Sequence, residues 1–525
     1  MKQRKNLKLL MASAALALLP QFAMSQTIVS VPYAEPTVFD PVTAVAAVTQ
    51  EHAYLIYDTL FSQDSAGQPQ PQMVETVETS EDGRTLTMSL RDGLMFHDGS
   101  DVTAVDAVAS ISRWAKKDLL GKTLISMGMV LEVVDDKTFT VTTDEPTPMV
   151  LDGFSKPTSS ALFVMRAADA AQEASEPVTA NIGSGPFIFV QDEYVAGSKL
   201  VYEKNPDYVP RDEPIDGMAG GKVVNIDRLE FHIIKDAATA AAAISTGSID
   251  VYEDVPLDLM ELFAVNEAVD TRLKNSQGSI GVFRPNFLHP PLDNMKVRQA
   301  IMTAFDQEEF MTIASGGIRE NWDYCYSFLA CNSNASPTNG TDTYREGSIE
   351  AAKALLAESG YDETPLHILL PTDWAPMNAF TEVAAARLEM IGLNVHLEPM
   401  SKAALLQRRS NKGSFEEGGW DAFVSYGFGT EMGNPATNFA INSSCENAWF
   451  GWPCDEETEE LRNRWMYETD ETARREILEA LQARLAEYLP YMPLGKFLNV
   501  MAYRTNIEGL QSTPVPVYWG VSKTE

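Results

Sequence analysis

Apolar positions along this chain recur with two periods. Ile28-Val29-Ser30-Val31 is a short apolar run of strand type. Thr85 to Leu90 alternates polar with apolar residues and ends at Arg91-Asp92-Gly93, which predicts a strand followed by a tight turn. Thr103-Ala104-Val105-Asp106 opens a helix that runs to about Trp114, with Thr103 as its cap and Asp106 at the capping-box position. Ala237 to Ser245 reads as an Ala-rich helix stopped by Gly247, with a strand entering at Ile249-Asp250-Val251. Helical spacing returns at Met295 to Phe305, at Ala351 to Leu356 before Ser359-Gly360, and at Phe380 to Met390 before Gly392. Leu393 to Leu397 and His367 to Leu370 read as strands, and a helix starts near Lys402. Asp455 to Met466 and Glu471 to Tyr488 are charged amphipathic helices. Strands alternating with helices predict α/β architecture with open sheets, whose ligands sit at strand ends or between domains. No period of about 20–50 residues recurs, which argues against solenoids and propellers.

The ends of the chain and its charge narrow the class. Four positive residues (Lys2, Arg4, Lys5, Lys8) precede an uncharged, mostly apolar stretch from Leu9 to Ala23. Small residues at Ala23-Met24-Ser25 predict cleavage before Gln26, so residues 1–25 read as an export signal. The stretch is shorter than a comfortable span of about 20 residues. The 525 residues carry 40 Lys and Arg against 74 Asp and Glu, a formal charge of −34, and loss of the four early positives makes it −38. Such acidity repels phosphate, so nucleic-acid binding is not expected. At 45 % hydrophobic residues the chain is not a disordered polyanion, and its length calls for more than one domain.

Cys325, Cys331, Cys445 and Cys454 form two close pairs, six and nine residues apart. In an oxidising compartment these read as two local disulfides, each worth about 2–3 kcal/mol in the chain-entropy model. Thiolate metal ligation is the competing reading; neither pair has CxxC spacing, and the six His are scattered without HxH or HExxH. No GxSxG or SxxK is present, so an enzyme is not expected. Gly121-Lys122-Thr123 lacks the leading Gly of a phosphate loop and reads as a turn; His97, beside Asp98-Gly99, reads as an exposed turn residue.

One stretch is specific. Leu90-Arg91-Asp92-Gly93-Leu94-Met95-Phe96-His97-Asp98-Gly99 continues into Val102 to Val108 and Ser110 to Trp114. It is flanked in order by Tyr57-Asp58-Thr59-Leu60, Gly183-Ser184-Gly185-Pro186-Phe187, Asn205-Pro206-Asp207-Tyr208, Gly247-Ser248-Ile249-Asp250 and Val297-Arg298-Gln299-Ala300 with Asp306. This series resembles the extracellular solute-binding proteins of the peptide/nickel family, which serve ABC importers. Val209 stands where the family usually has Trp. Arg298 reads as a structural ion-pair partner.

The resemblance implies a periplasmic-binding-protein-like α/β fold of class II, with two lobes and an extra subdomain inserted in lobe I. By analogy lobe I is 26–54, 187–278 and 494–525, the inserted subdomain is 55–186, and lobe II is 279–493. Closure of the lobes on ligand requires contacts to both. In peptide-binding relatives an aspartate in the segment matching Trp420 to Pro435 holds the α-ammonium; Glu431 aligns with it, and Phe428 aligns with a tryptophan of that motif. Arg408 and Arg409 lie where some relatives keep a basic residue for the peptide carboxylate. Successive helical residues diverge by about 100°, so at most one of them faces a cleft. Tyr33, Glu35, Trp374 and Asn286 are further expected ligand contacts by their places at strand ends and near the lobe crossing.

The expected function is thus the periplasmic solute-binding component of an ABC importer. It takes a small peptide or peptide-like solute, works with a membrane permease, acts as a monomer and uses no cofactor. A non-peptide solute (an opine, a sugar conjugate, a metal chelate) on the same fold is the alternative, a secreted hydrolase a more distant one, and presentation to a chemoreceptor a non-transport role. The His positions give no support for nickel.

Overall fold

The computed structural model describes residues 26–524 apart from 159, 276, 332–335 and 346; the expected export signal lies outside the described residues. Two large mixed sheets organise the chain. The first has seven strands in the order 269–273, 500–504, 251–252, 27–31, 228–232, 199–204, 187–189. Its centre is parallel, with Thr27–Val31 between Arg228–His232 and Val251–Tyr252, and its flanks are antiparallel. The second has six strands in the order 322–323, 492–497, 279–285, 422–428, 366–371, 395–400. Ser279–Pro285 is buried along its whole length, as a central strand covered on both faces must be.

The chain leaves the first sheet after Leu273 and enters the second at Ser279; it returns between Phe497 and Val500. Met492–Phe497 is one strand paired with Ser279–Pro285, so the return crossing falls at 498–499. A separate antiparallel sheet (74–79, 85–90, 138–142, 130–133) packs with the helices Ala104–Ala115 and Leu119–Ser126 inside the segment expected as the inserted subdomain.

Local signals explain most elements. The backbone N–H of Thr103 donates to Asp106 Oδ2 at 2.8 Å, the expected capping box. Gly247 and Gly392 end their helices in left-handed conformation. Three expectations change. Gly121-Lys122-Thr123 lies inside the helix Leu119–Ser126, capped by Asp118; a Cβ on Gly121 would stand 2.4 Å from Ala115 Cα, so the glycine serves helix contact. His97 is half-buried: its Nδ1 accepts from Gly183 N and its Nε2 faces Gly185 O at 3.2 Å, tying down the Gly183-Ser184-Gly185 turn. Arg298 makes no carboxylate pair among the described residues. It donates to the carbonyls of Leu292, Asp293 and Tyr488 under the ring of Phe287, and burial pushes its guanidinium down to about 10. A cation there satisfies the carbonyl end of the helix Glu471–Tyr488.

Both cysteine pairs are disulfides, with Cα separations of 5.4 Å for Cys325–Cys331 and 4.2 Å for Cys445–Cys454. Among the described residues no helix is long and apolar enough to cross a membrane, and no cluster of three or more His, Cys, Asp or Glu would hold a metal ion.

Candidate functional site: a cleft between the two sheets

Two adjoining cavities lie where the chain crosses between the sheets, and they share Ala47, Asn275, Gly278, Phe428 and Pro514. Strand ends supply much of their lining. Tyr33 follows the strand Thr27–Val31, Asp254 follows Val251–Tyr252, Lys274 follows Val269–Leu273, and Asn499 precedes Val500–Arg504. The carboxyl ends of parallel strands leave such a crevice in α/β sheets. The helix Ala47–Ile56 adds Ala47 and Glu51, one turn apart on one face, and Gln50 to the neighbouring cavity.

The second sheet supplies Ser279, Tyr426 and Phe428, and the short helix Gly429–Met432 supplies Thr430 and Glu431. Ser279 pairs with Phe428 across the sheet. Gly278, at φ 57°, lets its carbonyl accept from Gly429 N at 3.0 Å, and a Cβ there would meet Phe497 O at 2.5 Å. The crossing is thereby fixed against the short helix that carries Thr430 and Glu431.

Charge is unevenly placed. The Glu431 carboxyl is pushed up to about 7, first by burial, with Lys156 opposing and Asp118 reinforcing. Under the other cavity, burial and the neighbouring Glu253 carboxyl hold Glu51 well above the usual carboxylate range, with Lys274 opposing. Lys274 stands 5.4 Å from the Tyr33 ring, and the field of Glu253, Asp254 and Glu51 raises its pKa despite desolvation. Lys274 is the one Lys or Arg among the described residues lining either cavity.

Of the expected contacts, Tyr33, Phe428 and Glu431 meet here; Tyr33 and Phe428 are 44 % and 43 % exposed, free to cover a solute. Trp374 stands behind the lining, edge-on to Tyr426 at 6.0 Å and under Lys402. The other four are directed elsewhere. Glu35 accepts from Gly197 N at 2.7 Å and Tyr194 Oη at 3.3 Å. Asn286 is fully buried and donates to Trp420 O. Arg408 donates to the carbonyls of Gly418 and Gly419 beside Phe415. Arg409 lies over Phe450 and Trp449, where burial lowers its pKa. Sequence reading missed Glu51, Asp254, Lys274, Asn275, Thr430, Asn499 and Pro514. One signal was present: Gln50-Glu51-His52 is a polar run in an otherwise apolar helix, and all three are buried.

Contacts bridge the two sides of the cleft. Thr158 Oγ1 donates to Thr430 Oγ1 at 2.9 Å, and Arg474 pairs with Asp152 at 2.7 Å.

The model of the bacterial extracellular solute-binding proteins, family 5 (Middle), matches residues 68–450. The chain belongs to this family. Over 496 residues it is 38 % identical to a probable peptide ABC transporter periplasmic-binding protein of Sinorhizobium fredii, covering 93 % of this chain and 92 % of that one. The family 5 fold is shared with the crystal structure of a putative peptide binding protein AppA of Clostridium difficile (TM-score 0.80, 19 % identity, 95 % and 100 % of the two chains). It is shared as well with the oligopeptide-binding protein AppA of Bacillus subtilis, solved with a nonapeptide (TM-score 0.73, 19 % identity, 95 % and 100 %). The chain is thus a two-lobed α/β solute-binding protein of an extracellular or periplasmic family.

Proposed function

We propose that this family 5 protein is the periplasmic peptide-binding component of an ABC importer. It encloses a short peptide between its lobes and delivers it to a membrane permease. The observation that carries the reading is Glu431: a half-buried carboxyl lining the cleft, on the short helix that follows an exposed aromatic, positioned to accept a peptide α-ammonium. The relative at 38 % identity is described as a probable peptide ABC transporter protein, which supports the choice of solute. Lobe I then comprises 26–54, 187–278 and 498–525, the inserted subdomain 55–186, and lobe II 279–497. Tyr33 and Phe428 cover the bound peptide from opposite lobes, and Trp374 backs Tyr426. Residues 1–25 direct export and are removed. The protein acts as a monomer, without catalysis or nucleic-acid binding.

A thermal-shift screen of the mature protein against di- to pentapeptides, opines, oligosaccharides and metal chelates tests this. Peptides raise the melting temperature by mass action. Silence from every peptide, with a rise of several degrees from another class, would remove peptide from the account.

A further inference from the structure

The floor of the cavity lined by Tyr33 and Glu51 holds more carboxylate than its own cation balances. Glu51, Glu253 and Asp254 surround the single ammonium of Lys274, and each raises the Lys274 pKa. Glu253 is fully buried and accepts from Tyr518 Oη at 2.7 Å and Ser30 Oγ at 3.2 Å. Asp254 accepts from Asn499 Nδ2 at 3.0 Å. Glu51 is different. It lines the cleft, is 1 % exposed, and its Oε1 has no hydrogen-bond donor among the described residues; nor has Oε2 of Glu253. Three acids around one ammonium favour the protonated form of Glu51, whose carboxyl is held well above the usual carboxylate range by burial and by the neighbouring Glu253 carboxylate.

We infer that the Glu51 carboxyl is a subsite for one cationic group of the bound solute, an ammonium or guanidinium carried by a peptide side chain. The incoming cation takes the place of the Glu51 proton, so each binding event at this subsite releases one proton to solvent. The cavity has room for such a group beside Tyr33, whose ring face adds to its attraction for a cation. The groups that face Glu51 are Glu253 and Asp254 from the strand end, Lys274 from the crossing, Tyr33 from the first loop, Tyr202 from the sheet and Tyr518 from the C-terminal segment. The three tyrosines are held neutral, their pKa values raised by burial. A cation is therefore bound more tightly as the pH rises and the proton is more readily lost.

This rests on the reading that the cleft takes a peptide, and its test separates the two. Calorimetry on the mature protein compares Ala-Arg-Ala with Ala-citrulline-Ala, in buffers of different ionisation enthalpy. The arginine peptide binds about tenfold more tightly and releases about one proton more than the citrulline peptide, and both the preference and the extra release disappear in Glu51→Gln. That variant keeps the shape and neutrality of the protonated carboxyl, and an unchanged melting temperature without ligand shows that it folds. Equal affinity for the two peptides, or an arginine preference retained in Glu51→Gln, overturns the subsite while leaving peptide binding intact. Failure of both peptides to bind wild type, with another solute binding, overturns the peptide reading and this inference with it.

Discussion

The two walls of the cleft hold their carboxylates in different ways. On the second-lobe side, Glu431 is a half-buried acid next to the exposed Phe428, and its proton comes off near neutrality because desolvation is the main force on it. On the first-lobe side, Glu51 is one of three acids around Lys274, and a like charge next to it adds to the burial. A lone acid responds to one incoming charge; a network can redistribute its proton and resist. The difference suggests a division of labour, with the Glu431 wall reading the backbone ammonium and the Glu51 wall reading what the side chains carry.

The comparison breaks most readily at Glu431. Glu431→Gln removes the charge and keeps the shape, and calorimetry is expected to show peptide affinity falling by about 30-fold or more. An N-acetylated peptide, lacking the ammonium, is expected to bind both forms alike. Phe428→Ala takes cover from the same wall without touching charge; a loss of about tenfold for every peptide, amine-blocked or not, is expected from one exposed aromatic contact.

The pH dependence sharpens the contrast. The Glu431 carboxyl passes from its ordinary value of 4.5 in the unfolded chain to about 7 when folded. The folded state therefore holds this proton more tightly. The stability it confers is full below about pH 4 and is lost as the pH rises through about 7. Differential scanning of ligand-free protein should show the melting temperature falling from pH 5 to pH 8, and falling about 2 °C less in Glu431→Gln. The smallest effect is expected at the bridge between subdomain and second lobe. Arg474→Ala removes the pair with Asp152, part-exposed on both sides, and should weaken peptide binding by about twofold. A larger radius of gyration without ligand, by small-angle scattering, accompanies it if this pair favours the closed arrangement.

Much of the fold was legible because it rests on local chemistry. The Thr103 cap with Asp106, the glycine stops at 247 and 392, and the unbroken amphipathic run 471–488 each say where an element begins or ends. The site was legible only in part. Phe428 and Glu431 belong to one short segment, and its resemblance to a family motif named them together. Lys274, Asp254 and Asn499 come from separate strand ends that meet only when the first sheet forms, and nothing in their neighbours along the chain marks them. Arg408 and Arg409 had the right charge for a carboxylate, but a guanidinium can equally satisfy carbonyls or cover rings, and here it does. Gly121-Lys122-Thr123 shows the same limit: a glycine needed for helix contact looks like a turn when its partner Ala115 is out of sight.

The most direct measurement is native mass spectrometry of the protein purified from cells without denaturation, followed by release and fragmentation of whatever the closed lobes retain. The account predicts adducts that resolve into short peptides with free amino termini, diminished in Glu431→Gln. A retained non-peptide solute, held equally by wild type and Glu431→Gln, would contradict it.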